Sequence, residues 1–148
     1  EEKFSNSHNV EIITGDFLKW SLPNYKYKIF SNIPFEYTSR ILDKILVSSN
    51  SPQDSYLIMQ DLAAERFMGK SLGARDSQAS ILLQPFYSMN ILKRIDRHQY
   101  RPVPNVDTVL ARFEKREYPL IDFKDTQEYR DFVIYGYNQW KLTVFGCL

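Results

Sequence analysis

The stretch KIFSNIPFEYTS, residues 28–39, places four residues where they could handle an amine. A β-rich run stops on a polar amide, Asn32. Pro34 and the aromatic Phe35 follow, and a helix-like pattern begins after them. The exocyclic amine of adenine is a poor nucleophile, because its lone pair is delocalised into the ring. The Asn32 side-chain oxygen and the Ile33 backbone carbonyl are two acceptors that could hold its two hydrogens. Pro34 lacks an N–H and fixes φ, which stiffens the turn. Phe35 offers a face for an extruded base. Catalysis would then rest on orientation toward a methyl donor, with no general base of perturbed pKa. The same residues also make an ordinary Asn-x-Pro turn with a core aromatic, and the tetrapeptide alone leaves both readings open.

The elements around this stretch alternate. NVEIITGDF (9–17) reads as a strand with a turn at Gly15-Asp16, and YKYKIFSNI (25–33) as a second strand. TSRILDKILVSS (38–49) has apolar residues at 41, 42, 45 and 46, a helical period, with Thr38 or Ser39 as N-cap. SYLIMQ (55–60) reads as a buried parallel strand, and DLAAERFMGK (61–70) as a helix ending near Gly69. A polar loop (71–78) and a helix broken at Pro85 come next. Strands are expected over 87–96 and 107–117, joined by an extended, proline-bearing connector. A final helix is expected over 125–140. The pattern predicts an α/β fold with a mainly parallel sheet, its last two strands forming an antiparallel edge. In such sheets ligands sit beyond the carboxyl ends of the strands. Asn32 and Asp16 both follow such ends.

Composition excludes several classes. With 148 residues, 43% hydrophobic and 25% charged, the chain can bury a core and is not a disordered segment. One cysteine, Cys147, rules out a disulfide framework, and His8 and His98 lack metal-ligand spacing. The polar start EEKFSNSHN is unlike a signal peptide, and no apolar run reaches about 18 residues. A cytoplasmic protein with no metal and no membrane partner is the expectation.

Four segments together resemble the rRNA adenine N6-methyltransferases, the Erm macrolide-resistance enzymes and the KsgA-type small-subunit dimethyladenosine transferases. FSNIPF is similar to the family's N-I/L-P-Y/F motif. NVEIITGDFLKWSLP looks like the strand that ends in an acidic residue. SYLIMQDLAAERF looks like the next strand and helix, with Gln60, Ala64 and Arg66 in place. YRPVPNVDTVL is similar to F-x-P-x-P-x-V-D-S. The resemblance spans residues 9 to 117 and implies a Rossmann-like S-adenosylmethionine-dependent methyltransferase acting on ribosomal RNA. It implies catalytic roles for Asn32, Ile33, Pro34 and Phe35, and cofactor contacts for Asp16, Phe17 and Asn32. Ile33 and Phe35 favour the Erm form, as does Leu62, where KsgA-type enzymes carry an acidic residue. That form implies large-subunit rRNA as substrate and macrolide-type resistance. The alternatives are a KsgA-type small-subunit enzyme or a non-catalytic RNA-binding piece of this fold.

The family's glycine-rich turn and its ribose-binding acid are absent from the 148 residues. The expectation is therefore a partial catalytic domain over 1–117, lacking the first two strands. The start of a helical RNA-binding domain over 118–148 follows it. Alone, such a fragment should bind cofactor weakly and be inactive. In the family's sheet order, three-two-one-four-five-seven-six, the 10–14 strand is third and the 27–32 strand fourth. The latter would show an open edge, prone to self-association. Between residues 66 and 101 stand Arg66, Lys70, Arg75, Lys93, Arg94, Arg97 and Arg101 against Asp76 and Asp96. This patch reads as a solvated face, or, given the resemblance, as a phosphate-tracking surface for RNA. Tyr100 and Asp107 are expected to brace the last strand.

Overall fold

The computed structural model describes residues 8–69 and 77–138. Four of the five expected strands form one sheet: β1 (Lys28–Asn32), β2 (Asp54–Gln60), β3 (Tyr87–Ile95) and β4 (Thr108–Lys115). The sheet order is β1-β2-β4-β3. This is the four-five-seven-six half of the expected order. Only β1 and β2 pair in parallel; β4 runs antiparallel to both β2 and β3. Three of the four strands, β1, β2 and β3, therefore run in one direction and β4 alone opposes them, so the mainly parallel sheet with an antiparallel last pair holds among the described residues. The connection from β3 to β4 is too short for a crossover helix, so the two pair as antiparallel neighbours and β4 inserts beside β2.

The period-two pattern decides which face is buried. Ser55, Leu57 and Met59 of β2 pair with Phe113, Ala111 and Val109 of β4, and all six are fully buried. Against this face pack α1 (Thr38–Leu46), through Ile41, Leu42, Ile45 and Leu46, and α2 (Asp61–Met68), through Ala64 and Phe67. The short α3 (Gln78–Leu83) adds Leu83. Gly69 ends α2 at φ 55°, a conformation that favours glycine. The Tyr87 hydroxyl donates to the Leu46 carbonyl at 2.8 Å, tying β3 to the end of α1. On the other face Phe30 is 72% exposed.

The expected 9–17 strand is not one. Asn9 lies in a turn and residues 10–14 have no regular secondary structure and are exposed, because no described strand lies beside the outer edge of β1. Without a neighbour, an alternating segment has neither a hydrogen-bond ladder nor a face to bury. Thr38 is the first helical residue of α1 and not its N-cap. A 3-10 turn, Phe35–Tyr37, runs straight into the helix, and the Thr38 hydroxyl donates back to the Phe35 carbonyl at 3.0 Å. The last helix, α4 (Thr126–Asn138), is held to α3 by the Tyr129 hydroxyl, which donates to the Ile81 carbonyl at 2.8 Å. No described helix is long and apolar enough to cross a membrane. Cys147 lies outside the described residues.

Candidate active site

Asn32 is the last residue of β1, at the carboxyl end of the parallel pair. Strand alternation sends Ser31 and Ile33 toward the helices and puts Asn32 on the open face with Phe30. The Ile33 amide donates to the Ile58 carbonyl at 3.1 Å, and its side chain is buried, so the backbone is fixed there. The Asn32 side chain is exposed, and it hydrogen-bonds to no described residue. Nor does any described donor reach the Ile33 carbonyl. Two acceptors are thus held at one strand end with their capacity free. Pro34 leads into the 3-10 turn, whose Tyr37 amide donates to the Pro34 carbonyl at 3.1 Å. Phe35 is 37% exposed, so its ring is available at the surface rather than lost in the core.

Asp16 and Phe17 reach the same end of β1 by a turn. The Asp16 carboxylate accepts from the Leu18 amide at 2.9 Å, and its carbonyl accepts from the Lys19 and Trp20 amides at 3.0 and 3.1 Å. Lys44 of α1 anchors this turn. Its ammonium donates to the carbonyls of Leu18 (2.9 Å) and Trp20 (2.5 Å) and lies 5.7 Å from the Phe17 ring centre. Between turn, strand and helix is a cavity of about 450 Å³, lined by Asp16, Phe17, Ile33, Pro34, Tyr37 and Arg40 among others. That volume is in the range of small-molecule sites. One carboxylate with apolar walls suits a flat heterocycle carrying an amine, such as an adenine ring. The structure brings Asp16, Phe17, Ile33 and Pro34 together here. Asn32 and Phe35 lie beside this cavity and do not line it.

Lys44, Tyr37 and Arg40 escape a motif-based reading. Arg40 and Lys44 share one flank of α1, with Tyr37 just before the helix, and the Arg40 guanidinium sits 5.9 Å from the Tyr37 ring centre. The helical spacing was a usable signal, although it does not reveal a loop folding back from 24 residues upstream.

The basic patch divides in two. A register shift between Ile91 and Lys93 sends Lys93 to the open face and Arg94 to the helix face. Arg94 meets Asp61 in a close ion pair and Glu65 at 3.3 Å, and both carboxylates raise its pKa. Its charge is already matched by α2, which a count running from residue 66 misses. Asp61 Oδ1 is buried with no hydrogen-bond partner among the described residues. Arg66, Lys93, Arg97 and Arg101 are exposed. Lys70 and Arg75 lie outside the described residues. Tyr100 and Asp107 brace β4 as expected: the Tyr100 hydroxyl is 2.8 Å from the Thr108 hydroxyl, and the Asp107 carbonyl accepts from the Asp61 amide at 3.1 Å.

At the opposite end of the sheet, Asp54 is clamped by Arg112 through two hydrogen bonds of 2.8 and 2.9 Å, with Lys28 at 3.6 Å. The Arg112 hydrogen bonds hold the Asp54 carboxyl below its usual pKa, while Asp54 raises that of Arg112. This pair joins neighbouring strands far from Asn32, so it is a structural feature.

The sheet order, with a free amide at the end of the first parallel strand and an acidic turn beside it, defines a Rossmann-like methyltransferase fold. The chain belongs to the ribosomal RNA adenine dimethylase family, whose sequence profile matches residues 1–145. It is 32% identical over 138 residues to an rRNA adenine N-6-methyltransferase of Lysinibacillus sphaericus, covering 93% of this chain and 54% of the relative. It is 27% identical over 144 residues to ribosomal RNA small subunit methyltransferase A of Mycoplasmopsis pulmonis, covering 97% and 56%. The crystal structure of the 23S rRNA methyltransferase ErmE superposes with a TM-score of 0.88 at 25% identity, over 99% of this chain and 59% of that one. The chain spans about half the length of the curated relatives it matches.

Proposed function

We propose that the gene product carrying this chain methylates N6 of an adenine in ribosomal RNA, with S-adenosylmethionine as donor. The observation that carries this reading is the pair of free acceptors, Asn32 Oδ1 and the Ile33 carbonyl, beside the cavity that holds Asp16. When bound, S-adenosylmethionine would supply an electrophilic methyl group, passed from its sulfonium sulfur to N6 as N6 gives up one proton to solvent. Asn32 and Ile33 accept the two amine hydrogens and aim the lone pair. Phe35 stacks on the extruded base. Asp16, with Phe17 and Pro34 beside it, would hold the adenine of that donor by accepting from its amine. Arg66, Lys93, Arg97 and Arg101 contact phosphates, which position the RNA without reading the target base. Residues 118–148 belong to an RNA-binding domain to which α4 contributes.

Large-subunit RNA is the proposed substrate, as in Erm-type enzymes, with macrolide-type resistance as the consequence. The Asn-Ile-Pro-Phe form and exposed Leu62 support it. Methylation of purified large- and small-subunit RNA, with the modified base mapped by primer extension, separates the two substrates. Asn32→Ala should lower turnover roughly a hundredfold, the scale of a lost transition-state partner. Undiminished turnover in that variant would refute the assignment.

A further inference from the structure

We propose that the chain has a second ligand site, at the end of the sheet opposite Asn32. It would take a small oxyanion (a carboxylate, phosphate or sulfonate) that carries an apolar body. Asn32 and Gln60 mark one end of the sheet, whereas Tyr87 and Lys115, paired at the start of β3 and the end of β4, mark the other. There a cavity of about 610 Å³ opens, larger than the one at Asp16. Leu42, Leu46, Phe67, Leu83 and Phe86 give it an apolar wall from four segments of the chain. Such a wall with a few convergent polar groups is the usual make-up of a small-molecule site.

The charge on its rim selects the ligand's sign. Lys115, Arg116 and Arg130 line the cavity, with Asp43 the one acidic residue among the lining. Elsewhere Lys28, Arg94, Arg112 and Lys124 sit in ion pairs, yet none of these three does so among the described residues. Lys115 donates to the Ser51 hydroxyl at 2.8 Å, and Arg116 uses Nε on the Gln84 carbonyl at 3.0 Å. The terminal nitrogens of Arg116 and the whole Arg130 head remain for an anion. Guanidinium groups bind carboxylate, phosphate and sulfonate oxygens in a fork. Arg130 lies on α4, so a bound anion would clip that helix to the sheet end, beside the Phe86–Phe123 contact at 6.5 Å between ring centres.

The test uses two probes with one ring system, anilinonaphthalene sulfonate and uncharged phenylnaphthylamine, titrated by fluorescence into the full chain. The sulfonate should saturate at one equivalent and bind at least tenfold tighter than the neutral amine. Arg130→Gln and Lys115→Gln should each weaken it about tenfold, the effect of one charge-assisted hydrogen bond. Lys124→Gln, outside the lining, should leave it unchanged. Both affected residues are exposed, so the fold is retained, and circular dichroism verifies it. Amide NMR shifts should cluster at Phe86, Lys115 and Arg130. Equal affinity for the two probes, indifference to both substitutions, or shifts confined to the open sheet face would overturn the proposal.

Discussion

Lys44→Met removes the anchor that sets Asp16 and Phe17 at the cavity while keeping most of the side chain's apolar stem. The ammonium donates to two carbonyls, Leu18 at 2.9 Å and Trp20 at 2.5 Å. A hydrogen bond to a charged group nets about 1.5–3 kcal/mol when shielded. The Leu18 contact is half-buried and the Trp20 contact exposed, so about 2 kcal/mol in total is the reasonable sum. The neighbouring Phe17 ring adds a smaller cation–π contribution that methionine partly replaces. That energy belongs mainly to the 16–20 turn, because the turn forms no strand ladder with the sheet and only Phe17 and Leu18 pack against the core. Local opening should therefore rise roughly thirtyfold, with global stability nearly unchanged. Native-state hydrogen exchange reads this directly. The Lys19 and Trp20 amides, which donate to the Asp16 carbonyl, should lose protection, while amides of β2 and β4 keep theirs. Unchanged exchange at both amides would show that the turn is held by its own hydrogen bonds, and the role given to Lys44 would be wrong.

Arg112→Met should destabilise the fold by about 2–3 kcal/mol, because Asp54 is buried and would retain only Lys28 at 3.6 Å and a long hydrogen bond from the Tyr56 hydroxyl at 3.4 Å. The Asp54 carboxyl is depressed in the folded state, so its contribution is full above its unfolded pKa of about 3.9 and drains as pH falls through the lower folded value. Urea melts of Asp54→Asn should lack that acid-side slope; a slope equal to wild type would remove Asp54 as its source. Arg97→Glu or Arg101→Glu should reduce the slope of log K for RNA against log salt by about 0.7–0.9 per lost phosphate contact. Arg94→Gln should leave that slope alone and loosen α2 from β3, since Arg94 is already paired with Asp61 and Glu65. A changed salt slope in Arg94→Gln would return it to the RNA face.

Local chemistry made much of this chain legible. Apolar spacing at 41, 42, 45 and 46 specifies the buried face of α1, because the helical period is intrinsic to the backbone. The run at 55–60 marks a strand buried in mid-sheet, and the Asn-Ile-Pro-Phe turn marks a strand end with free acceptors, because proline and a strand-ending amide act over a few residues. What needed the tertiary structure was whatever depends on a distant partner. Residues 9–14 carry a strand-like pattern, yet a strand exists only where another supplies its ladder, and none of the described strands does. The insertion of β4 between β2 and β3 likewise depends on which strands meet and not on local pattern. Arg94 counts as a free cation in a linear tally, but a one-residue register shift turns it onto Asp61 and Glu65. Lys44 is an ordinary surface lysine in the sequence, and only the fold brings the Leu18 and Trp20 carbonyls to it. The division follows range: backbone conformation and side-chain period are fixed within a few residues, whereas pairing, charge compensation and cavity lining are fixed by contacts that the linear order does not record.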